Sequence, residues 1–177
     1  MTQMAVCAVL SLALLAGCSG GGLGSGGASL GDSDHPLAGA KAPEFDLAAQ
    51  SGGARASLAA HAGKIVIVDF WATWCDPCRD SFPHYQRMVE QHGGKLVVLG
   101  LSTDDDPDGI PAFAKETGAK FPLAWDDGQT VARQYSPPTM PTSYVVDGNG
   151  IVRFVHVGFR SGDETVLAQQ VSSLLAD

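Results

Sequence analysis

Two of the chain's four cysteines stand with two residues between them, in Cys75-Asp76-Pro77-Cys78. Thiols at this spacing can close a disulfide, reopen it, or share a metal ion. A disulfide here would staple almost nothing, because the loop it closes is too short to restrict the unfolded chain. The pair therefore points to redox exchange. One thiolate attacks a disulfide sulfur in another molecule, and the second thiol resolves the mixed disulfide that results. Placement supports this. The apolar run Lys64 to Phe70 ends just before the pair, and a helix is expected from about Pro77 to His92. The first turn of a helix offers unpaired N–H groups and a partial positive charge. Both favour the thiolate, which is the reactive species. Pro77 suits the helix start, where its missing N–H would be unpaired anyway. Cys75 is then expected outside the helix, exposed and attacking; Cys78 is expected one turn in, shielded and resolving.

Four neighbours bear on this chemistry. Asp69 lies in the strand leading to the pair, and a carboxylate buried there is costly and tends to be neutralised. Asp76 lies between the cysteines, where its charge opposes thiolate formation. Destabilising the reduced form makes the couple more reducing, so Asp76 points to a reductase rather than an oxidase. Of the two flanking tryptophans, Trp71 is expected in the core and Trp74 as an exposed wall beside Cys75.

Other chemistries fit less well. Structural zinc needs four ligands, usually from a second C-x-x-C or added histidines. No second pair exists, and His61, His84, His92 and His156 are scattered. A peroxidase of the peroxiredoxin kind would place Pro and Thr where Val68 and Ala72 stand. The run Asp104-Asp105-Asp106-Pro107-Asp108-Gly109 matches the first half of a calcium loop, but Lys115 occupies the place of the required bidentate Glu. Acids before a helix are favourable in any case, so a capping cluster is expected there. No cofactor and no metal are expected.

The elements that must hold this site are readable from periodicity. Phe45 to Ala48 and Ala54 to Leu58, around Ser51-Gly52-Gly53, read as a hairpin. Lys64 to Phe70 and Leu96 to Ser102 are apolar on both faces, as in a sheet covered on both sides. With a helix between them they should be parallel. Pro107 and Gly109 open a second helix reaching about Thr117. A short strand over Phe121 to Trp125 and a short helix over Thr130 to Tyr135 follow. Strands Thr142 to Val146 and Ile151 to Val157 flank Asp147-Gly148-Asn149-Gly150, a hairpin signal. A last helix runs from about Gly162 to Leu175, with its apolar stripe on Val166, Leu167, Val171, Leu174 and Leu175.

The 177 residues suffice for one domain and a leader, and the net charge of −8 argues against a nucleic-acid binder. From Ala5 to Ala16 the chain is apolar and too short to span a bilayer about 30 Å thick. It suits a secretory signal over residues 1–17, although no Lys or Arg precedes the run. The sequence Leu15-Ala16-Gly17-Cys18 resembles the bacterial lipobox, which implies lipidation of Cys18 as the first mature residue. Residues 18–40 then form a tether, Gly- and Ser-rich over 19–31, where thirteen residues reach roughly 20 Å. The folded domain is expected over 41–177.

Taken together, the ordered motifs resemble the thioredoxin superfamily and, within it, the TlpA/ResA-like membrane-tethered thioredoxins. The residues that carry this are Phe70-Trp71-Ala72-Thr73-Trp74 before the pair, Asp69, Pro83 in the following helix, Met140-Pro141-Thr142 before a strand, and the Ala42-Pro43-Glu44-Phe45 lead-in. The resemblance implies an α/β thioredoxin fold: a central mixed sheet flanked by helices, with an N-terminal β-hairpin and a central insertion. It implies that Asp69 accepts the Cys78 proton during resolution. A cis bond before Pro141 is implied too, with Met140 and Pro141 meeting substrate alongside Trp74 and Pro77. The implied activity is reduction of disulfides in envelope proteins, including the haem-binding cysteines of apocytochrome c. Electrons would come from a membrane thiol carrier, and the protein would act as a monomer on a lipid anchor. A non-catalytic module that holds a partner or a metal on the same fold is the alternative, and the intact pair with Asp69 and Pro141 weighs against it.

Overall fold

The computed structural model describes residues 34–176. The leader, Cys18 and the tether up to residue 33 lie outside the described residues. One mixed sheet organises the rest, in the order β2 (Arg55–Ser57), β1 (Asp46–Ser51), β5 (Leu123–Trp125), β4 (Leu96–Ser102), β3 (Ile65–Trp71), β6 (Thr142–Val146), β7 (Val152–Val157). The interior strand β3 (Ile65–Trp71) is buried at every position. On one side β3 pairs parallel with β4 (Leu96–Ser102), from Ile65 opposite Leu96 to Trp71 opposite Ser102. On the other it pairs antiparallel with β6 (Thr142–Val146), which pairs antiparallel with β7 (Val152–Val157). The parallel pair follows from α1 (Asp76–His92), which carries the chain back to the starting edge.

Alternation along β3 divides the core in two, because successive side chains point to opposite faces. Ile65, Ile67 and Trp71 pack with Cys75, Cys78, Phe82, Phe113 and Leu167. These partners come from α1 and the residue that caps it, from α2 (Ile110–Thr117) and from α4 (Asp163–Ala176). Val66, Val68 and Phe70 pack on the other face with Phe45, Tyr135 and Tyr144. Tyr135 belongs to α3 (Ala132–Tyr135).

The hairpin forms as β1 (Asp46–Ser51) and β2 (Arg55–Ser57). It is not a separate flap. β1 also pairs antiparallel with β5 (Leu123–Trp125), so the hairpin extends the main sheet. Gly52 permits that approach: its φ is +78°, and a Cβ there would lie 1.9 Å from the Phe121 carbonyl oxygen. Packing also begins before Lys41. His35 is buried, with its ring edge-on to Tyr144 at 5.2 Å, and the Gly39 N–H donates to the Val152 carbonyl. On α4, Gln170 is a buried polar residue outside the expected apolar stripe. It is buried among Leu167 and Val171 because His156 of β7 meets its Oε1 at 2.7 Å.

Candidate active site

Cys75 and Cys78 form a disulfide with Cα atoms 5.3 Å apart. Cys75 is the N-cap of α1, in extended backbone, and its Sγ accepts the Cys78 N–H at 3.2 Å. The exposure expected for Cys75 is corrected: it is 4% exposed and Cys78 is 0%. The bond draws its sulfur back onto the first turn, where both cysteines join the apolar cluster with Trp71 and Phe82. What remains of the predicted asymmetry is positional, with one sulfur outside the helix and the other inside. Trp74, 70% exposed, is the side chain presented to solvent beside the pair, while Trp71 is fully buried.

The turn before Cys75 is clamped from two sides. The Asp104 carboxylate accepts the Thr73 N–H at 3.0 and 3.1 Å and the Thr73 hydroxyl at 3.0 Å. Ser102 donates to the same carboxylate at 2.7 Å. From α1, Arg79 donates to the Thr73 carbonyl at 2.6 Å while it pairs with Glu116 and lies over the Phe113 ring. Gly109 lets α2 close on this turn, since a Cβ there would sit 2.9 Å from Thr73 Cγ2. The acidic run is thus not the expected helix cap but a clamp on the turn before Cys75. Gly109 is the N-cap of α2 without a side-chain bond. Asp104 is committed to Thr73 and Ser102, and Asp106 accepts the Asp108 N–H.

Asp69 lies on the α1 face of β3 and is completely buried. Its Oδ1 accepts from Ser143 Oγ at 2.9 Å and from the Tyr85 hydroxyl at 3.1 Å; its Oδ2 has no partner. Burial pushes its carboxyl up to about 7, against the opposing pull of the Ser143 and Tyr85 hydrogen bonds. A carboxyl in that range can take and return a proton near neutral pH. Burial drives the Tyr85 hydroxyl the same way, with the nearby Asp69 charge adding to it.

The remaining expected residues fall into two groups. The Met140–Pro141 bond is cis. Met140 packs against the cluster holding the cysteines, and its Sδ accepts the Thr103 hydroxyl at 3.0 Å. The Thr103 N–H in turn donates to the Trp71 carbonyl, which ties this loop to the end of β3. Asp76 and Pro77 are exposed. The Asp76 side chain is 95% exposed and reaches Arg79 at 3.8 Å. Sequence reasoning missed Tyr85, Ser143, Arg79 and the role of Asp104. Tyr85 was the most accessible of these: it follows Cys78 by seven residues, two helical turns on one face. Ser143 becomes visible only through the pairing of β3 with β6, which sets it opposite Asp69. Among the described residues, no group of three or more His, Cys, Asp or Glu could hold a metal ion.

A mixed sheet with a disulfide at the mouth of its first long helix, a buried acid beneath and a cis-proline loop alongside defines a thioredoxin-fold thiol–disulfide oxidoreductase. The chain belongs to the AhpC/TSA family, whose model matches residues 38–155. It is 33% identical over 123 residues to the thioredoxin-like protein YneN of Bacillus subtilis, covering 68% of this chain and 71% of that one. To the thiol-disulfide oxidoreductase ResA of Bacillus thuringiensis it is 31% identical over 145 residues, covering 81% and 82%. Among solved structures, a Chlorobium tepidum protein provisionally assigned as the thiol:disulfide interchange protein DsbE superposes with a TM-score of 0.73. Identity there is 35%, over 78% of this chain and 97% of that one.

Proposed function

We propose that this oxidoreductase works outside the cytoplasm, held to a membrane by lipid on Cys18, and reduces disulfides in envelope proteins. Apocytochrome c belongs to the candidate substrates, and a membrane thiol carrier would return electrons to Cys75 and Cys78. The single observation that carries the reductive chemistry is the Cys75–Cys78 bond at the mouth of α1, with Asp69 buried on the face that α1 covers. The reduced pair attacks a substrate disulfide through Cys75. Cys78 then closes on Cys75, and the substrate leaves as two thiols. Likeness to proteins named thiol-disulfide oxidoreductase ResA and thiol:disulfide interchange protein DsbE supports disulfide exchange, Asp76 between the cysteines supports the reducing direction, and Leu15-Ala16-Gly17-Cys18 supports the anchor.

Two experiments test the proposal. The protein should accelerate reduction of insulin by dithiothreitol, and Cys78→Ala expressed in a bacterial envelope should retain substrates as mixed disulfides on Cys75. No acceleration and no trapped protein would reject the reductase. Separately, palmitate should label the full chain and not Cys18→Ser; equal labelling, or none, would reject the anchor.

A further inference from the structure

Asp69 is held by an arrangement that treats its two oxygens differently. Ser143 Oγ, the Tyr85 hydroxyl and Asp69 Oδ1 form a closed triangle, with Tyr85 and Ser143 2.7 Å apart. Three contacts share the two hydroxyl protons. When Asp69 is ionised, both protons turn to Oδ1. When Asp69 is protonated, one hydroxyl is free to donate to the other. The triangle therefore answers a change of charge on Asp69 by rotating hydroxyls, without moving a backbone. Oδ2 remains buried and unpartnered.

Every element packed around Asp69 can be accounted for. From β4 the opposite residue is Gly100, which brings no side chain. From β6 comes Ser143, and from β7 His156 stands opposite Ser143. The His156 ring is engaged with Gln170 of α4, and burial holds its pKa down. From α1 come Cys78, Ser81 and Tyr85, all buried; Ser81 donates to the Cys78 carbonyl at 3.0 Å. Cys78 and Tyr85, two turns apart, lie on the same face of α1 over the strand that carries Asp69.

We infer that Tyr85 and Ser143 are positioning residues for thiol resolution: they hold Oδ1 of Asp69 and leave Oδ2 as the oxygen that receives the Cys78 proton. This rests on the disulfide-exchange reading above. In the mixed disulfide, the proton on Cys78 passes to Oδ2 and the Cys78 thiolate attacks Cys75 Sγ. The bond between Cys75 and the substrate sulfur breaks as the Cys75–Cys78 bond forms. The substrate sulfur leaves with the electron pair, so the substrate is reduced and the pair is oxidised. Hydrogen bonds to a carboxylate stabilise its charged form. Tyr85 and Ser143 thus keep Asp69 a usable acceptor at a depth where burial alone would lock it protonated.

The test is a titration of the Asp69 carboxyl carbon by 13C NMR in the reduced full chain, with Asp69→Asn assigning the signal. Tyr85→Phe and Ser143→Ala should each raise the midpoint by about one pH unit, the scale of one lost hydrogen bond to a charged group. Ser143→Thr, which keeps the hydroxyl, should return it towards the parent. The pH profile of mixed-disulfide resolution should move by the same amount and in the same direction. Midpoints that stay put in Ser143→Ala, or in a Tyr85→Phe protein with a native-like amide spectrum, would overturn the inference, even if both variants melt earlier. The titration needs no turnover. A parent that fails to reduce insulin would sink the reductase, whereas static midpoints would sink the positioning role.

Discussion

Tyr85 and Tyr144 are both buried tyrosines, packed on opposite faces of the same sheet. Tyr144 donates to the Tyr135 carbonyl at 2.8 Å, and Tyr135 donates to the Pro43 carbonyl at 2.8 Å. Their rings meet edge-on at 5.0 Å, with Phe70 between 5.2 and 5.8 Å from each. The Tyr144 hydroxyl also lies 3.3 Å from His35 Nε2, and burial holds both tyrosine hydroxyls well above their ordinary range. Tyr85 instead donates to a carboxyl that titrates near 7. Residue type and burial are alike on the two faces, and the acceptor differs. A hydroxyl on a carbonyl is fixed structure, whereas a hydroxyl on an ionisable group takes part in its chemistry.

The contrast predicts where substitutions should be felt, and the largest effects belong to the α1 face. Replacing Cys75 with Ala should abolish disulfide exchange, and Cys78→Ala should arrest it at the mixed disulfide, seen as a covalent adduct in non-reducing gels. Asp69→Asn should slow resolution by about 100-fold near pH 7 in stopped-flow measurements, the low end for a lost proton acceptor. The same variant should be more stable than the parent at high pH. Burial lifts the Asp69 carboxyl to about 7 in the fold from its ordinary 3.8, so between these values the folded state binds a proton that the unfolded state has lost. Stability should therefore fall as pH rises from about 4 to about 7, by up to about 4 kcal/mol. In Asp69→Asn that slope should vanish from urea unfolding curves.

Smaller effects sharpen the comparison. Asp104→Ala frees the turn before Cys75 and should cost about 2 kcal/mol by the same urea measurement, the range for hydrogen bonds to a charged group. On the opposite face, Tyr144→Phe should cost about 1 kcal/mol and leave the pH profile of resolution unmoved. A shifted profile in that variant would erase the distinction between the two tyrosines. The least effect is expected from Asp76→Asn. With its side chain exposed and near Arg79, the change should make the couple more oxidising by no more than about 20 mV in a glutathione redox titration.

Much of this architecture was legible beforehand. The β3 and β4 runs, the helix between them and the Asp147–Gly150 turn announce themselves through unbroken apolar stretches and turn residues, which are local signals. Asp69, Cys75, Cys78 and Pro141 were legible because motif and spacing mark them. The Asp104 cluster reads locally as a helix cap, and the fold uses it otherwise. Its acidity is a local fact, but its partner Thr73 lies 31 residues away and meets it through the β3–β4 pairing. The burial of Gln170 on α4 is not legible locally either, since the His156 that meets its Oε1 belongs to another element.

The sequence by itself determined the chemistry available: two thiols at a helix mouth, an acid in the preceding strand, and the elements that carry them. Those properties depend on neighbours along the chain. Only the tertiary structure decided which oxygen of Asp69 is held and which is left bare, because Tyr85 and Ser143 reach it from a helix and a strand that are 58 residues apart. It also decided that Cys75 is sheltered in the disulfide. Hydrogen bonds and burial depend on distance in space, and register and packing set those distances.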